Sequence, residues 1–381
     1  MPAFSVITNA NGWQEMSLGE FCEIYQPKTI SRKQMIEDGE YPVFGANGVI
    51  GRFNEYNHEN SELLITCRGA TCGSVNISLP KSWITGNAMV VRPDETLVLR
   101  RYLEYAFQGP INLSSVITGS AQPQITRANL SPVRFAFPSL SEQQRIVNIL
   151  DEAFEQIANI KAQTMMNLQG AYNIFISFLD TIINDTNNDW KDTVLGDEYD
   201  VRDGTHDSPK YHDEGHYLIT SKNLKREGLT YSKAKFICPT DYHEINKRSK
   251  VDKGDVLFAM IGTIGNPVVI EEEPNFAIKN VALFKVGEKN GKYLKYLLQS
   301  KSNMKKMLRD ASGTTQRFVS LRYLRGFPIR LPSDEEQYLI VKKLDELFDN
   351  TEQLAKKYNA ESENLDELKQ SILQEAFNGT L

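Results

Sequence analysis

Pro138-Ser139-Leu140-Ser141-Glu142-Gln143-Gln144-Arg145-Ile146-Val147 returns 194 residues later as Pro332-Ser333-Asp334-Glu335-Glu336-Gln337-Tyr338-Leu339-Ile340-Val341. Each copy runs into an apolar stripe at helical spacing: Ile146, Leu150, Ala153, Ile157 and Ile160 in the first, Ile340, Leu344, Leu347, Thr351 and Leu354 in the second. The stripes continue through Leu168, Ala171, Ile174, Phe178 and Ile182, and through Leu365, Leu368, Ile372 and Ala376. This spacing predicts one long helix after each proline, the first over Leu140–Ile183, about 65 Å at about 1.5 Å per residue. Ser139 with Glu142, and Ser333 with Glu336, fit a capping box at each helix start. Gly170 costs roughly 1 kcal/mol against Ala and marks a place for a kink. A stripe kept over several heptads calls for a partner helix, and the other copy is the simplest one. Chain order makes that pair antiparallel, a rod with a domain at either end.

A unit this long is no solenoid repeat, whose period runs roughly 20–50 residues. The echo extends beyond the helices. Trp13 and Leu18-Gly19 match Trp190 and Leu195-Gly196, and Tyr102-Leu103-Glu104-Tyr105 matches Tyr293-Leu294-Lys295-Tyr296. The strand-like runs Gly86–Val91 and Lys279–Phe284 also correspond, as do Gly119-Ser120-Ala121-Gln122 and Gly313-Thr314-Thr315-Gln316. The expected organisation is α+β: domain 1 at 1–138, a long helix at 139–185, domain 2 at 186–332 and a second long helix at 333–381. Two α/β domains are thus separated by an antiparallel coiled coil with pseudo-two-fold symmetry. In each domain a strand leads into a glycine turn: Leu63–Thr66 into Gly69–Gly73, and Asp255–Phe258 into Gly262–Gly265.

The 381-residue chain carries a net charge of −6, unevenly spread. Residues 1–138 hold 11 basic and 12 acidic residues, and 139–185 hold 2 and 6. Residues 186–332 hold 25 and 19, and 333–381 hold 5 and 12. The acidity sits mostly in the repeated helices, the second domain is basic, and the first is near neutral. That pattern allows the domains to meet DNA while the helices face protein. The four cysteines have neither disulfide-framework nor zinc spacing. Residues 1–10 lack the basic start and apolar core of a secretory signal, so the expected location is the cytoplasm.

Motifs of catalysis are missing from the sequence. There is no Gly-x4-Gly-Lys-Ser/Thr loop for ATP, and no glycine-rich cofactor loop paired with an Asn/Asp-Pro-Pro-aromatic motif for adenine methylation. His206, His212, His216 and His243 fall among Gly, Pro and Asp, which reads as loop and not as a metal site. Glu271-Glu272-Glu273 reads as a solvated turn before Pro274. Binding is what remains. A DNA reader needs hydrogen-bonding side chains on loops and strand ends, where they reach base edges and phosphates. The candidates lie where shared scaffold meets divergent sequence. They are Asn47, Arg68, Thr71, Gln122, Gln124 and Arg127 in the first half, and Ser221, Lys222, Asn223, Thr263, Thr315, Gln316 and Arg317 in the second.

The repeated Glu-Gln helix starts, the ending Ile372-Leu373-Gln374-Glu375-Ala376-Phe377-Asn378-Gly379 and the segment Tyr41–Gly48 together resemble the specificity subunit of type I restriction–modification enzymes. The resemblance covers nearly the whole chain. It implies two target-recognition domains, each reading half of a split, asymmetric site in double-stranded DNA, with the helices as spacer. It also implies that the helices dock modification subunits, which bind S-adenosylmethionine and methylate adenine. Restriction subunits, using ATP and magnesium, would join that complex. No cofactor or metal is then expected on this chain. Tyr338-Leu339 stands where the first copy has Gln144-Arg145, so the two helix starts are not equivalent. A self-contained methyltransferase or nuclease, and a coiled-coil scaffold without a DNA role, are the alternative readings.

Overall fold

The computed structural model describes residues 7–8, 12–119, 121–185, 190–313 and 316–381. Both long helices form where the prolines and serines place them, as Leu140–Ile183 and Asp334–Asn378. The chain divides into two compact units, Met1–Thr164 with Ala360–Leu381, and Met165–Asn359. The division falls inside both long helices. Gly170 does not interrupt the first of them.

In the first unit a four-stranded antiparallel sheet runs in the order Cys22–Tyr25, Ala88–Pro93, Leu63–Thr66, Val75–Ile77. A second sheet places Tyr41–Gly45 between Gly48–Phe53, antiparallel, and Trp83–Ile84, parallel. Gln14–Ser17 pairs with Arg134–Phe137, closing the ends of the domain together. The second unit repeats this scheme. Its four-stranded sheet runs Asp200–Asp203, Val281–Lys285, Val256–Ala259, Gly265–Val269. His216–Ile219 lies between Lys235–Ile237, antiparallel, and Phe276–Ile278, parallel. Lys191–Val194 pairs with Pro328–Leu331. The duplicated sequence is therefore a duplicated topology.

Shared residues hold shared contacts. Gly19 and Gly196 each sit where another stretch of backbone presses close: a Cβ would stand 2.9 Å from Ser131 Cβ in one and 2.9 Å from Arg325 O in the other. Leu18 N donates to Val133 O and Leu195 N to Phe327 O, both at short range (2.8 and 3.0 Å). Tyr102 and Tyr293 are fully buried in their cores, beside Leu103 and Leu294.

Within each unit the long-helix segments run antiparallel. In the first unit Lys161 pairs with Asp366 (2.6 Å), Thr164 donates to Glu361 (3.1 Å), and Arg145 reaches the Leu381 carbonyl (2.7 Å). In the second, Tyr172 donates to Glu352 (3.2 Å) and Phe175 packs edge-on against Phe348. The helix stripe departs from its expected register after Ala171. Phe175, Leu179 and Ile183 are buried, while Ile174 and Phe178, one residue earlier, are exposed. Ile160, Leu354 and Leu368 are exposed as well. The reason is the partner: this part of the helix enters the core of the second unit, where Tyr296 of the domain and Leu344 and Phe348 of the other long helix together set its buried face. The capping boxes also differ from expectation. Ser333 Oγ accepts from Glu336 N (3.3 Å), but Glu336 takes its own bond from Trp190 Nε1, and Glu142 pairs with Arg145. No described helix is long and apolar enough to cross a membrane.

Candidate nucleic-acid interface

The glycine turn of the first unit follows a fully buried strand, Leu63–Thr66, so the chain must reverse sharply on reaching the surface. Gly69 and Gly73 do this with φ of +89° and +88°, a region that L side chains rarely enter. Gly73 N donates to Thr66 O and Cys72 N to Gly69 O, closing the turn. A second loop, bounded by Thr118 and Gln124 hydrogen-bonding to each other in both directions, lies against it. Gly69 N donates to Pro123 O and Ile125 N to Cys67 O, and Arg68 bridges to Gln124. Arg68, Thr71, Gln122 and Gln124 thus share one exposed rim, although Arg68 and Gln124 are far apart in sequence.

Two further candidates flank that rim. Asn47 is exposed at the tip of the hairpin joining Tyr41–Gly45 to Gly48–Phe53. Its Oδ1 accepts from Asn76 Nδ2 at 3.2 Å, and the neighbouring Ala46 carbonyl accepts from Thr66 Oγ1. Arg127 opens the short helix Arg127–Leu130 just past the second loop, capped by the Thr126 hydroxyl.

The second unit builds the same rim from different side chains. Gly262, at φ +77°, donates its N–H to Arg317 O, and Ile261 and Ser312 both bridge to Phe318. Thr263, Gln316 and Arg317 are exposed there, with Gln316 Nε2 against the bare face of Gly262. Thr315 lies outside the described residues. Ser221, Lys222 and Asn223 form a short 3-10 turn in a connection, 220–234, that is much longer than its counterpart in the first unit. Lys222 is exposed, and Ser221 Oγ donates to Asn280 O at 3.3 Å.

Asn223 requires a correction as a base-contacting candidate. It is 3% exposed, its Oδ1 accepts from Thr220 N and Oγ1, and its Nδ2 donates to Thr230 O. The side chain holds the connection together and has no reach to solvent. Lys279 and Asn280, outside the candidates read from the sequence, stand between two strands beside Ser221. Lys279 Nζ donates to Ser208 Oγ, and Asn280, at φ +54°, shares a 2.8 Å hydrogen bond with His206. Asn87, aligned with Asn280 in the repeat, does not share its positive φ, so the repeat gave no signal for this turn.

These rims offer hydrogen-bond donors and acceptors. Burial pushes the Cys67 and Cys72 thiols of the first turn up, away from the thiolate. Among the described residues no group of three His, Cys, Asp or Glu is placed to hold a metal ion. His206 is engaged with Asp203 and Asn280, and His216 stacks on Tyr242 with centroids 3.8 Å apart.

The family described as type I restriction modification DNA specificity domain matches residues 10–166 and again residues 187–364. The chain belongs to this family. The specificity subunit of the Escherichia coli type I restriction enzyme EcoprrI is 32% identical over 149 residues, covering 38% of this chain and 36% of the relative. The EcoBI specificity subunit, also from Escherichia coli, is 30% identical over 139 residues, 35% of this chain and 29% of its own length. The chain therefore spans about a third of the length of these two curated relatives. The EcoKI specificity subunit of Escherichia coli K12 aligns more broadly, at 21% identity over 77% of this chain and 68% of its own. Two solved structures share the fold. One is a chain from work on complex assembly and conformational transition of the type I R-M system, with a TM-score of 0.74 at 17% identity, covering 99% of this chain and all of that one. The other is the HsdS subunit from Thermoanaerobacter tengcongensis, with a TM-score of 0.55 at 16% identity over the full length of both.

Proposed function

We propose that this chain is the non-catalytic DNA sequence-specificity subunit of a type I restriction–modification system, acting in the cytoplasm. Target-recognition domains at 1–138 and 186–332 each read one half of a bipartite, asymmetric site in double-stranded DNA. The helices at 139–185 and 333–381 act as spacer and dock the modification (methyltransferase) subunits. Restriction subunits join through that complex, and S-adenosylmethionine, ATP and magnesium belong to the partners. The observation that carries this reading is one scaffold used twice with different exposed side chains on its turns: Arg68, Thr71, Gln122 and Gln124 against Thr263, Gln316 and Arg317. A fixed frame with exchanged rim residues is what two readers of different half-sites require. The near-neutral first domain gains little from phosphates, so its affinity leans on base contacts and on partner subunits.

The test is to express the chain with its modification subunits and map methylated adenines genome-wide. The expected result is one split, asymmetric sequence, with Gln122→Ala or Arg68→Ala relaxing one half only and Arg317→Ala the other. Methyl transfer by the purified chain alone would favour the enzyme reading instead. Failure of the assembled complex to select any sequence would favour the scaffold.

A further inference from the structure

The hairpin that carries Asn47 is shaped to expose two neighbouring apolar side chains. In a regular strand Val49 and Ile50 would point to opposite faces, and one of them would be covered. Here the ladder pairs Phe44 with Val49 and Val43 with Gly51, leaving Ile50 as an extra, bulged residue. The bulge re-aims the chain, so that Val49 is 54% and Ile50 50% exposed. Two glycines make this fit. A Cβ on Gly45 would stand 2.6 Å from Ile50 Cγ2, and Gly48 turns the tip with φ +103°. Adjacent exposed aliphatics on an edge strand are a liability that proteins usually avoid. This one is held in place by the bond of Thr66 Oγ1 to Ala46 O and of Asn76 Nδ2 to Asn47 Oδ1, which tie the tip to the strands of the base-reading turn.

The other unit has the same strand arrangement and a different insertion. Between His216–Ile219 and Lys235–Ile237 it carries residues 220–234 in place of the tight Ala46-Asn47 tip, with Lys222 and Lys225 exposed and Arg226 laid over the Tyr172 ring of the long helix at 3.7 Å. The connection is thus basic in the net-basic domain, and the hairpin carries no Lys or Arg before Arg52 in the near-neutral one. A near-neutral domain on DNA has few phosphate contacts, and the apolar feature that a major groove presents is the thymine C5 methyl.

We infer that Val49 and Ile50 are specificity determinants of the first domain, reading thymine methyl groups in its half-site. This rests on the specificity-subunit reading above. The second domain, whose longer connection there exposes Lys222 and Lys225, has no matching aliphatic pair and is blind to the methyl.

The experiment uses the complex with modification subunits and duplexes carrying the mapped site, with each thymine of either half replaced singly by deoxyuridine, which removes only the C5 methyl. With the wild-type chain, affinity falls about fourfold at one or two thymines of the first half-site, the value for losing one buried methyl-sized group at about 0.8 kcal/mol. With Val49→Ser/Ile50→Ser the thymine duplex binds more weakly and the same replacements no longer matter. The inference is overturned if no first-half replacement changes the wild-type Kd, or if the variant keeps the wild-type sensitivity. It is also overturned if the variant stops joining the modification subunits while its DNA selectivity persists, which would assign the tip to a protein partner. Absence of any sequence-selective binding by the wild-type complex would instead sink the functional reading beneath it.

Discussion

Gln143 and Gln337 stand at the same place in the duplicated phrase, five residues after its proline, and their side chains explain why a polar residue belongs there. Gln143 is fully buried. Its Oε1 accepts from Leu99 N (2.8 Å), and its Nε2 donates to Leu97 O and Pro138 O (both 2.9 Å). It thereby satisfies one N–H and two carbonyls that the core would otherwise strand. Gln143→Leu should destabilise the first unit by about 3 kcal/mol or more, because each of the three unmatched buried groups costs roughly 1–3 kcal/mol. Gln337, which donates to Pro332 O at 3.1 Å and more weakly to Asp334, should cost about 1 kcal/mol by the same measure. Urea titration of the two variants distinguishes them, and equal losses would contradict this account. A pH prediction also belongs to single residues. Lys191, then Lys289, bond the nearly buried Glu198 carboxylate and pull its pKa from 4.5 to about 2. A folded pKa below the unfolded one means stability fully present above about 4.5 and lost as pH falls toward 2. Glu198→Gln should therefore lower stability at neutral pH, flatten the acid limb between these values and leave stability near pH 2 unchanged. An unaltered acid limb in the variant would reject the assignment.

At the scale of elements, the long helices were legible from proline, serine and a 3.6-residue stripe. Their ends, Leu140, Ile183 and Asp334, fall where those signals place them. The buried face was legible only in part. Ile146, Leu150, Ile157 and Leu344 are buried as the stripe requires, but beyond Ala171 the stripe slips by one residue. Periodicity reports that a face exists, and the surface it meets decides which side chains are covered. Gly170 lies within unbroken helix, and a Cβ there would meet nothing within 4 Å. Gly170→Ala should accordingly stabilise by about 1 kcal/mol, visible as a higher Tm with unchanged far-ultraviolet dichroism. A loss of stability would show that the helix needs its glycine. The turns behave in the opposite way. Gly69, Gly73 and Gly262 were readable as turns, yet the pairing of the first turn with the Thr118–Gln124 loop was not, since nothing local links Cys67 to Ile125.

For the whole molecule, the functional proposal makes the helices a spacer, and this has a length. One heptad inserted in each long helix adds about 10 Å at about 1.5 Å per residue, or about three base pairs at about 3.4 Å each. Methylation mapping of that variant should return both half-sites unaltered with about three more base pairs between them. Changed half-sites with an unchanged gap would refute the spacer role.

By itself the sequence determined that the chain is duplicated, that each copy joins an α+β domain to a long helix, and that charge is divided between domains and helices. Repeats, periodicity and charge are properties of order along the chain, so they survive without coordinates. Tertiary structure decided which side chains stand together at a surface. It withdrew Asn223 into a buried hydrogen-bond cage, brought Arg68 beside Gln124, shifted the helix face to Phe175 and Leu179, and turned out both Val49 and Ile50 at a single bulge. Each of these depends on packing between segments distant in sequence, where burial and hydrogen-bond satisfaction outweigh local preference.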